Sequence, residues 1–75
     1  MEELVRFLAT ELVEEPDAVH VSTKETKRTI VIKLNVSPDD VGRVIGKGGR
    51  VANAVRGILR ASNRDDERQI ILDID

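Results

Sequence analysis

The fold is decided by the stretch Val44–Arg50, which reads VIGKGGR and sets three glycines and one lysine between two segments of helical periodicity. Glycine has no Cβ, so this loop can adopt positive φ and allow another group to approach its backbone closely. The segment after the loop begins a helix, and its free N–H groups and positive dipole end point toward the same place. Together with the charge of Lys47, these features predict that residues 46–49 bind an anion.

Charge is distributed unevenly around this loop. The formal net charge of the chain is -2. Between Gly42 and Arg64, however, there is no acidic residue, while the rest of the chain carries a net charge of −8. Since a polyanion responds to the local field, the segment favours a nucleic-acid contact. It contains six basic residues, namely Arg43, Lys47, Arg50, Arg56, Arg60 and Arg64.

Hydrophobic periodicity predicts six elements in the order α-β-β-α-α-β. The predicted helices are Glu2–Glu14, Pro38–Ile45 and Arg50–Ser62, and the predicted strands are Ala18–Lys24, Thr29–Val36 and Gln69–Ile74. A two-helix crossover between the second and third strands is long enough to make them parallel. We therefore expect one α+β domain over residues 1–75, with a three-stranded mixed sheet covered on one face by helices.

The same patterns give expectations for individual side chains. Phe7, the one aromatic residue, is expected in the core. Ser37 is predicted to cap the second helix, with Pro38 in the first position and Asp40 reaching back as in a capping box. The third helix is expected to bury one stripe, formed by Val51, Ala52, Val55, Ile58 and Leu59.

Three small residues, Ala54, Gly57 and Ala61, lie on one edge of the third helix. A glycine inside a helix lowers the stability of that helix by about 1 kcal/mol relative to alanine. We therefore expect Gly57 and its small neighbours to serve a purpose that compensates for this loss. Three explanations stay open: the wall of a ligand groove, a dimer contact, or close packing within the monomer.

Other function classes fit the sequence poorly. A P-loop needs four residues between its glycines and then Lys-Ser/Thr, whereas only three separate Gly42 from Gly46 and Gly48 follows Lys47. Domains that stack bases on exposed aromatic side chains are excluded by composition. Cysteine is absent, metal-ligand spacing is missing, and His20 is expected to be an exposed strand residue. We expect no enzyme, cofactor or metal site, no membrane segment and no small-molecule substrate.

Val44–Gly49 resembles the VIGxxG signature of KH domains, and the order α-β-β-α-α-β is similar to the type II arrangement. Over its whole length the chain resembles the small bacterial single-KH-domain proteins of the KhpA family. This resemblance implies a cytoplasmic RNA-binding protein that forms a homodimer, or a heterodimer with a second KH protein of the Jag type. It also implies a role as an RNA chaperone or post-transcriptional regulator, with indirect effects on cell shape and cell-wall organisation.

The residues that match the KH pattern are expected to form the RNA site. The glycines would admit the backbone of single-stranded RNA, basic side chains would pair with phosphates, and Val31 and Ile32 would join the wall of the base groove. The expected RNA-binding set is Gly46, Lys47, Gly48, Gly49, Arg43, Arg50, Val44, Ile45 and Asn53. The alternative is a protein–protein adaptor that dimerises through helix 50–62, with Ala54, Gly57 and Ala61 in the contact.

Overall fold

Three α-helices and three strands follow one another in the predicted order α-β-β-α-α-β in the computed structural model, which describes residues 1–75. Short 3₁₀ turns at Pro16–Ala18, Pro38–Asp40 and Lys47–Gly49 precede β1, α2 and α3. The elements are α1 (Glu2–Leu12), β1 (His20–Glu25), β2 (Thr29–Asn35), α2 (Val41–Ile45), α3 (Arg50–Ser62) and β3 (Gln69–Ile74). None of the helices combines the length and hydrophobicity needed to cross a bilayer.

The strands form one mixed sheet in the order β1-β2-β3. β1 pairs antiparallel with β2, with Val21 opposite Leu34, and β2 pairs parallel with β3, with Ile32 opposite Leu72. The two-helix crossover from β2 to β3 therefore gives the parallel pair that the sequence predicts. β3 is consequently an edge strand, and its outer side carries backbone groups that no strand pairs.

The core lies between the helices and one face of the sheet. Alternate residues of the central strand, Ile30, Ile32 and Leu34, are buried, as the period of two predicts. α1 contributes Val5 and Ala9, α2 contributes Val44, and α3 contributes Ala52, Val55 and Leu59. The opposite face of the sheet has no helix over it and exposes Ile71.

The prediction that Phe7 and Ile58 are buried in the core is wrong. Phe7 is 60% exposed and Ile58 is 42% exposed. Phe7 lies two positions from both buried residues of α1, Val5 and Ala9, and therefore points to nearly the opposite side of that helix. Ile58 lies at the edge of the buried stripe of α3. A stripe of about 100° leaves such borderline positions undecided until the rotation of the helix is known.

The predicted capping box at α2 is also wrong. Neither Ser37 nor Asp40 makes a side-chain capping bond. Asp40 is instead buried, with 1% exposure, and accepts hydrogen bonds from the backbone N–H groups of Glu14 (3.2 Å) and Glu15 (3.1 Å). Its carboxylate thus ties the segment after α1 to the start of α2, because those two amides lie beyond the end of α1 and need an acceptor.

Burial raises the pKa of Asp40, but the bonds from Glu14, Glu15 and Arg43 outweigh it and hold the pKa below its ordinary value of 3.8. The carboxylate form is therefore the one that stabilises the fold. Its contribution is present above pH about 4 and is lost as the pH falls through the folded-state pKa.

Leu59→Ala tests the core. Leu59 is 0% exposed, so its truncation should lower the free energy of unfolding by about 2–5 kcal/mol. Ile58→Ala, one position earlier, is the matched control and should cost about 1 kcal/mol or less. Urea unfolding followed by circular dichroism measures both, and similar losses in the two variants would contradict the assigned rotation of α3.

Asp40→Asn tests the tie between α1 and α2. The variant should be less stable than the parent at pH 6, and the difference should shrink below pH 4 as Asp40 of the parent becomes protonated. Asp39→Asn removes an exposed carboxylate beside it that accepts none of these hydrogen bonds, so its stability at pH 6 should stay close to that of the parent. Equal stability of Asp40→Asn and the parent at pH 6 would refute the role of the carboxylate.

Candidate nucleic-acid interface

The glycine loop turns the chain sharply between α2 and α3. Gly46, Gly48 and Gly49 have φ values of 76°, 64° and 80°, in the region that favours glycine. At Gly46 a Cβ would lie 2.5 Å from Cγ2 of Val51 and 2.8 Å from its backbone nitrogen. No other residue fits there, because the loop backbone lies directly on the first turn of α3.

The outer side of the loop is open. Lys47 and Gly48 are exposed, and a Cβ at Gly48 would have no neighbour within 4 Å. The loop continues directly into α3, whose 13 residues give it a substantial dipole with the positive end at Arg50. A phosphate can therefore approach the loop backbone without displacing a side chain.

The basic side of α3 carries no counter-charge. None of the salt bridges in the structure involves Lys47 or any arginine of α3. Charges without an intramolecular partner keep their full attraction for a polyanion. These residues are Lys47, Arg50, Arg56, Arg60 and, just beyond the helix, Arg64.

Arg43, which the sequence predicts to pair with phosphate, is instead bonded to acidic residues within the protein. Its guanidinium donates to Asp40 Oδ1 at 2.7 Å, to Glu14 Oε1 at 3.0 Å and to the backbone oxygen of Asp39 at 3.0 Å. It is therefore held by two carboxylates on the α1 side of α2. Its attachment to the buried Asp40 fixes its guanidinium on that side of α2, so the unpaired cations of the loop and of α3 are the better candidates for phosphate contacts.

The residues expected to line the base groove lie in different environments, and only one of them is accessible beside the loop. Ile32 is 0% exposed and Val44 is 2% exposed, so both belong to the core and cannot touch a base. Val31 is half-buried but lies on the sheet face opposite the helices, since its alternation with Ile30 and Ile32 turns it away from the loop. Ile45, half-buried beside Gly46, remains available at the base of the loop.

Asn53 and Arg56 extend the polar surface from the loop to the sheet. Asn53 Nδ2 lies 3.8 Å from the position of a Cβ on Gly49. Arg56 donates to Asn53 Oδ1 at 2.9 Å and to the carbonyl oxygen of Leu72 at 3.2 Å. Sequence periodicity places Arg56 on the basic side of α3 but gives no sign of this bond to β3, which depends on the packing of the helix against an edge strand.

The three small residues of α3 are exposed, which removes packing within the monomer as their explanation. Ala54, Gly57 and Ala61 all face solvent, and a Cβ at Gly57 would meet no atom within 4 Å. Ile58 adjoins them. Together Ala54, Gly57, Ile58 and Ala61 form a surface of small and aliphatic side chains, here called the apolar flank of α3.

The structure has no cluster of metal-ligating side chains. No group of three or more His, Cys, Asp or Glu side chains is positioned to hold a metal ion. His20 is exposed on β1, as predicted. The one buried charged residue, Asp40, has its hydrogen bonds satisfied within the fold.

Comparison with known proteins gives full-length matches. The chain is 39% identical over 74 residues to the RNA-binding protein KhpA of Clostridium perfringens, covering 99% of both chains. It is 42% identical to KhpA of Caldanaerobacter subterraneus, covering 99% of both chains, and 43% identical to KhpA of Halalkalibacterium halodurans, covering 99% of this chain and 97% of the relative.

A solved structure confirms the fold. It is the crystal structure of Era in complex with MgGDPNP and nucleotides 1506–1542 of 16S ribosomal RNA, with a TM-score of 0.60 and 25% sequence identity. The match covers 97% of this chain and 28% of the Era chain, so this chain spans about a quarter of that protein. The architecture is the type II KH fold, and since the family model "KhpA/KhpB, KH domain" matches residues 2–74, the chain belongs to the KhpA/KhpB family of KH domains.

Proposed function

We propose that this protein binds single-stranded RNA by seating the phosphate backbone on the glycine loop, without catalysing a reaction. One observation carries the proposal: the loop is open to solvent, and every cation beside it except Arg43 lacks an acidic partner. A GXXG loop that clamps about four nucleotides of backbone is the mode of KH domains. The names of the KhpA relatives, which are RNA-binding proteins, support the same conclusion.

The proposed contacts follow from the accessible groups. Lys47 and Arg50 pair with phosphates, the glycines admit the backbone, and Ile45 lies at the base of the loop. Asn53 adds an amide donor. Its oxygen faces Arg56, which can only donate, so its NH₂ group faces the loop. Because the loop offers a single charged side chain, affinity for a short RNA should be modest and sensitive to salt.

We also propose that the apolar flank of α3 is a dimer contact. Small side chains let two helices approach closely, and the flank has no partner within the monomer. A second copy of this chain is the proposed occupant, and a KH protein of the Jag type could use the same surface. The resemblance to KhpA proteins further supports a role in RNA fate in the bacterial cytoplasm, as a chaperone or post-transcriptional regulator that affects cell shape and cell-wall organisation indirectly.

The double variant Lys47→Asp, Gly48→Asp tests the RNA site. Both positions are exposed and a side chain at residue 48 has room. The positive φ of residue 48 strains any side chain there, but aspartate is among the residues that tolerate this conformation best, so the variant should fold. Its affinity for single-stranded RNA should fall at least tenfold, because the change removes one positive charge and adds two negative charges where phosphate binds. Fluorescence anisotropy at two salt concentrations measures this, and the parent should lose affinity with a log–log slope of about 0.7 per phosphate neutralised.

The matched control is Lys24→Asp, Gln69→Asp, which makes the same change in net charge on exposed strand residues far from the loop. It should reduce affinity much less than the loop variant does. Loss of affinity to the same extent in both variants would mean that net charge alone governs binding and that the loop is not the site.

Gly57→Gln tests the apolar flank. Glutamine is the better helix former by about 0.5 kcal/mol, so the monomer should become slightly more stable while a dimer through α3 is blocked. Sedimentation equilibrium should show association of the parent that changes little with salt, and its loss in Gly57→Gln. Arg60→Gln, an exposed change on the basic side of the same helix, should associate like the parent. A parent that stays monomeric at high concentration would end this part of the proposal.

A further inference from the structure

Arg56 differs from the other arginines of α3. Arg50 and Arg60 are exposed and their side chains make no hydrogen bond, whereas Arg56 is half-buried with its guanidinium fixed at two points. One nitrogen donates to Asn53 Oδ1 and the other to the carbonyl oxygen of Leu72. A solvated phosphate-binding side chain has no need of this double attachment.

The second attachment lies on the open edge of the sheet. The N–H groups of Gln69 and Asp75 bond to Arg28 and Leu34, so odd-numbered residues of β3 face β2. In a parallel ladder the even-numbered residues, Leu72 among them, then direct their N–H and C=O groups outward, where no strand pairs with them. Arg56 therefore lies between α3 and an unpaired strand edge.

The first attachment connects Arg56 to the loop. Polar groups follow one another from the loop through the NH₂ group of Asn53 and the guanidinium of Arg56 to the carbonyl of Leu72. Arg56 lies six residues beyond Arg50, about 9 Å further along the helix axis. If the phosphates lie on the loop and Arg50, a base that points toward the sheet meets Asn53 and then Arg56.

We propose that Arg56 is a specificity-determining residue that reads a base with two adjacent hydrogen-bond acceptors on one edge, either O6 and N7 of guanine or O2 and N3 of cytosine. This inference rests on the proposed RNA binding. A guanidinium has five N–H donors in a planar fork, and two are engaged within the protein, which leaves three for a ligand. The bonds to Asn53 and Leu72 fix the plane in which these donors lie.

Adenine and uracil should bind Arg56 less well, because of the hydrogen-bond donors on their edges. Adenine places its N6 amino group beside each ring acceptor of its exposed edges, and uracil places its N3–H between its two carbonyl oxygens. A donor-only fork meets a donor in both cases. Arginine bonding to guanine O6 and N7 is the commonest specific contact of this kind, and bases of single strands present both their Watson–Crick and Hoogsteen edges.

The test uses four short oligouridines in which one central base is guanine, cytosine, adenine or uracil. The parent should bind the guanine or the cytosine oligomer roughly fivefold or more tightly than the adenine and uracil ones. Arg56→Lys keeps the charge but loses the fork, so the four affinities should become nearly equal. Arg50→Lys should change all four affinities by one common factor, as expected for a phosphate contact.

A second measurement does not depend on the variant folding. In the parent, the Nε–H resonance of Arg56 should shift when the preferred oligomer is added and stay in place with the adenine oligomer, while the loop amides shift with both. Equal affinities in the parent, or a common loss in Arg56→Lys, would overturn the inference and leave the proposed RNA binding intact. If the parent binds none of the oligomers, the proposed function itself is wrong.

Discussion

Gly46 and Val51 are packed so closely that the corner between α2 and α3 can be built in only one way. A side chain on Gly46 would overlap both the side chain and the backbone nitrogen of Val51. The contact brings the loop backbone onto the first turn of α3 and leaves its other side to solvent. This packing, together with the backbone hydrogen bonds from the Gly46 N–H to Gly42 and from the Gly49 N–H to Gly46, holds the loop beside the positive end of the helix dipole and the first arginine of α3. Lys47 and Arg50 make no ion pair that a ligand would have to break.

The division of charge depends on a second constraint, the buried carboxylate of Asp40. It satisfies the amides of Glu14 and Glu15 and also engages Arg43, which is paired with Glu14 as well. The acidic α1 side of the molecule thus neutralises Arg43, the one cation of residues 42–64 that forms an ion pair. The cations of the loop and of α3 remain without partners, so a chain with a formal net charge of -2 still presents a basic surface.

Local pattern was enough to predict the element order, the parallel pairing of β2 with β3 and the position of the glycine loop, because each depends on periodicity or on crossover length. The errors share a different cause. Ile58 is exposed because the rotation of a helix over a sheet decides which flank is covered. Phe7 is the exception, since it lies nearly opposite Val5 and Ala9 on α1 and is expected in the core for its residue type rather than for its spacing. Asp40 and Arg43 find partners 25 and 29 positions away, and Arg56 bonds to a strand edge 16 positions later. Such contacts have no signature in the spacing of neighbouring residues.

The two proposed functions use different sides of one helix. Arg56 faces the edge of β3, whereas the apolar flank of α3, at Gly57 and Ile58, faces solvent on another side. Arg56 and Leu72 lie outside the flank, so under these two proposals a dimer would present two RNA sites at once. A single loop with one lysine side chain is a weak clamp. An RNA long enough to reach both loops would bind the second one at a high effective concentration, and this would compensate for the modest affinity of each.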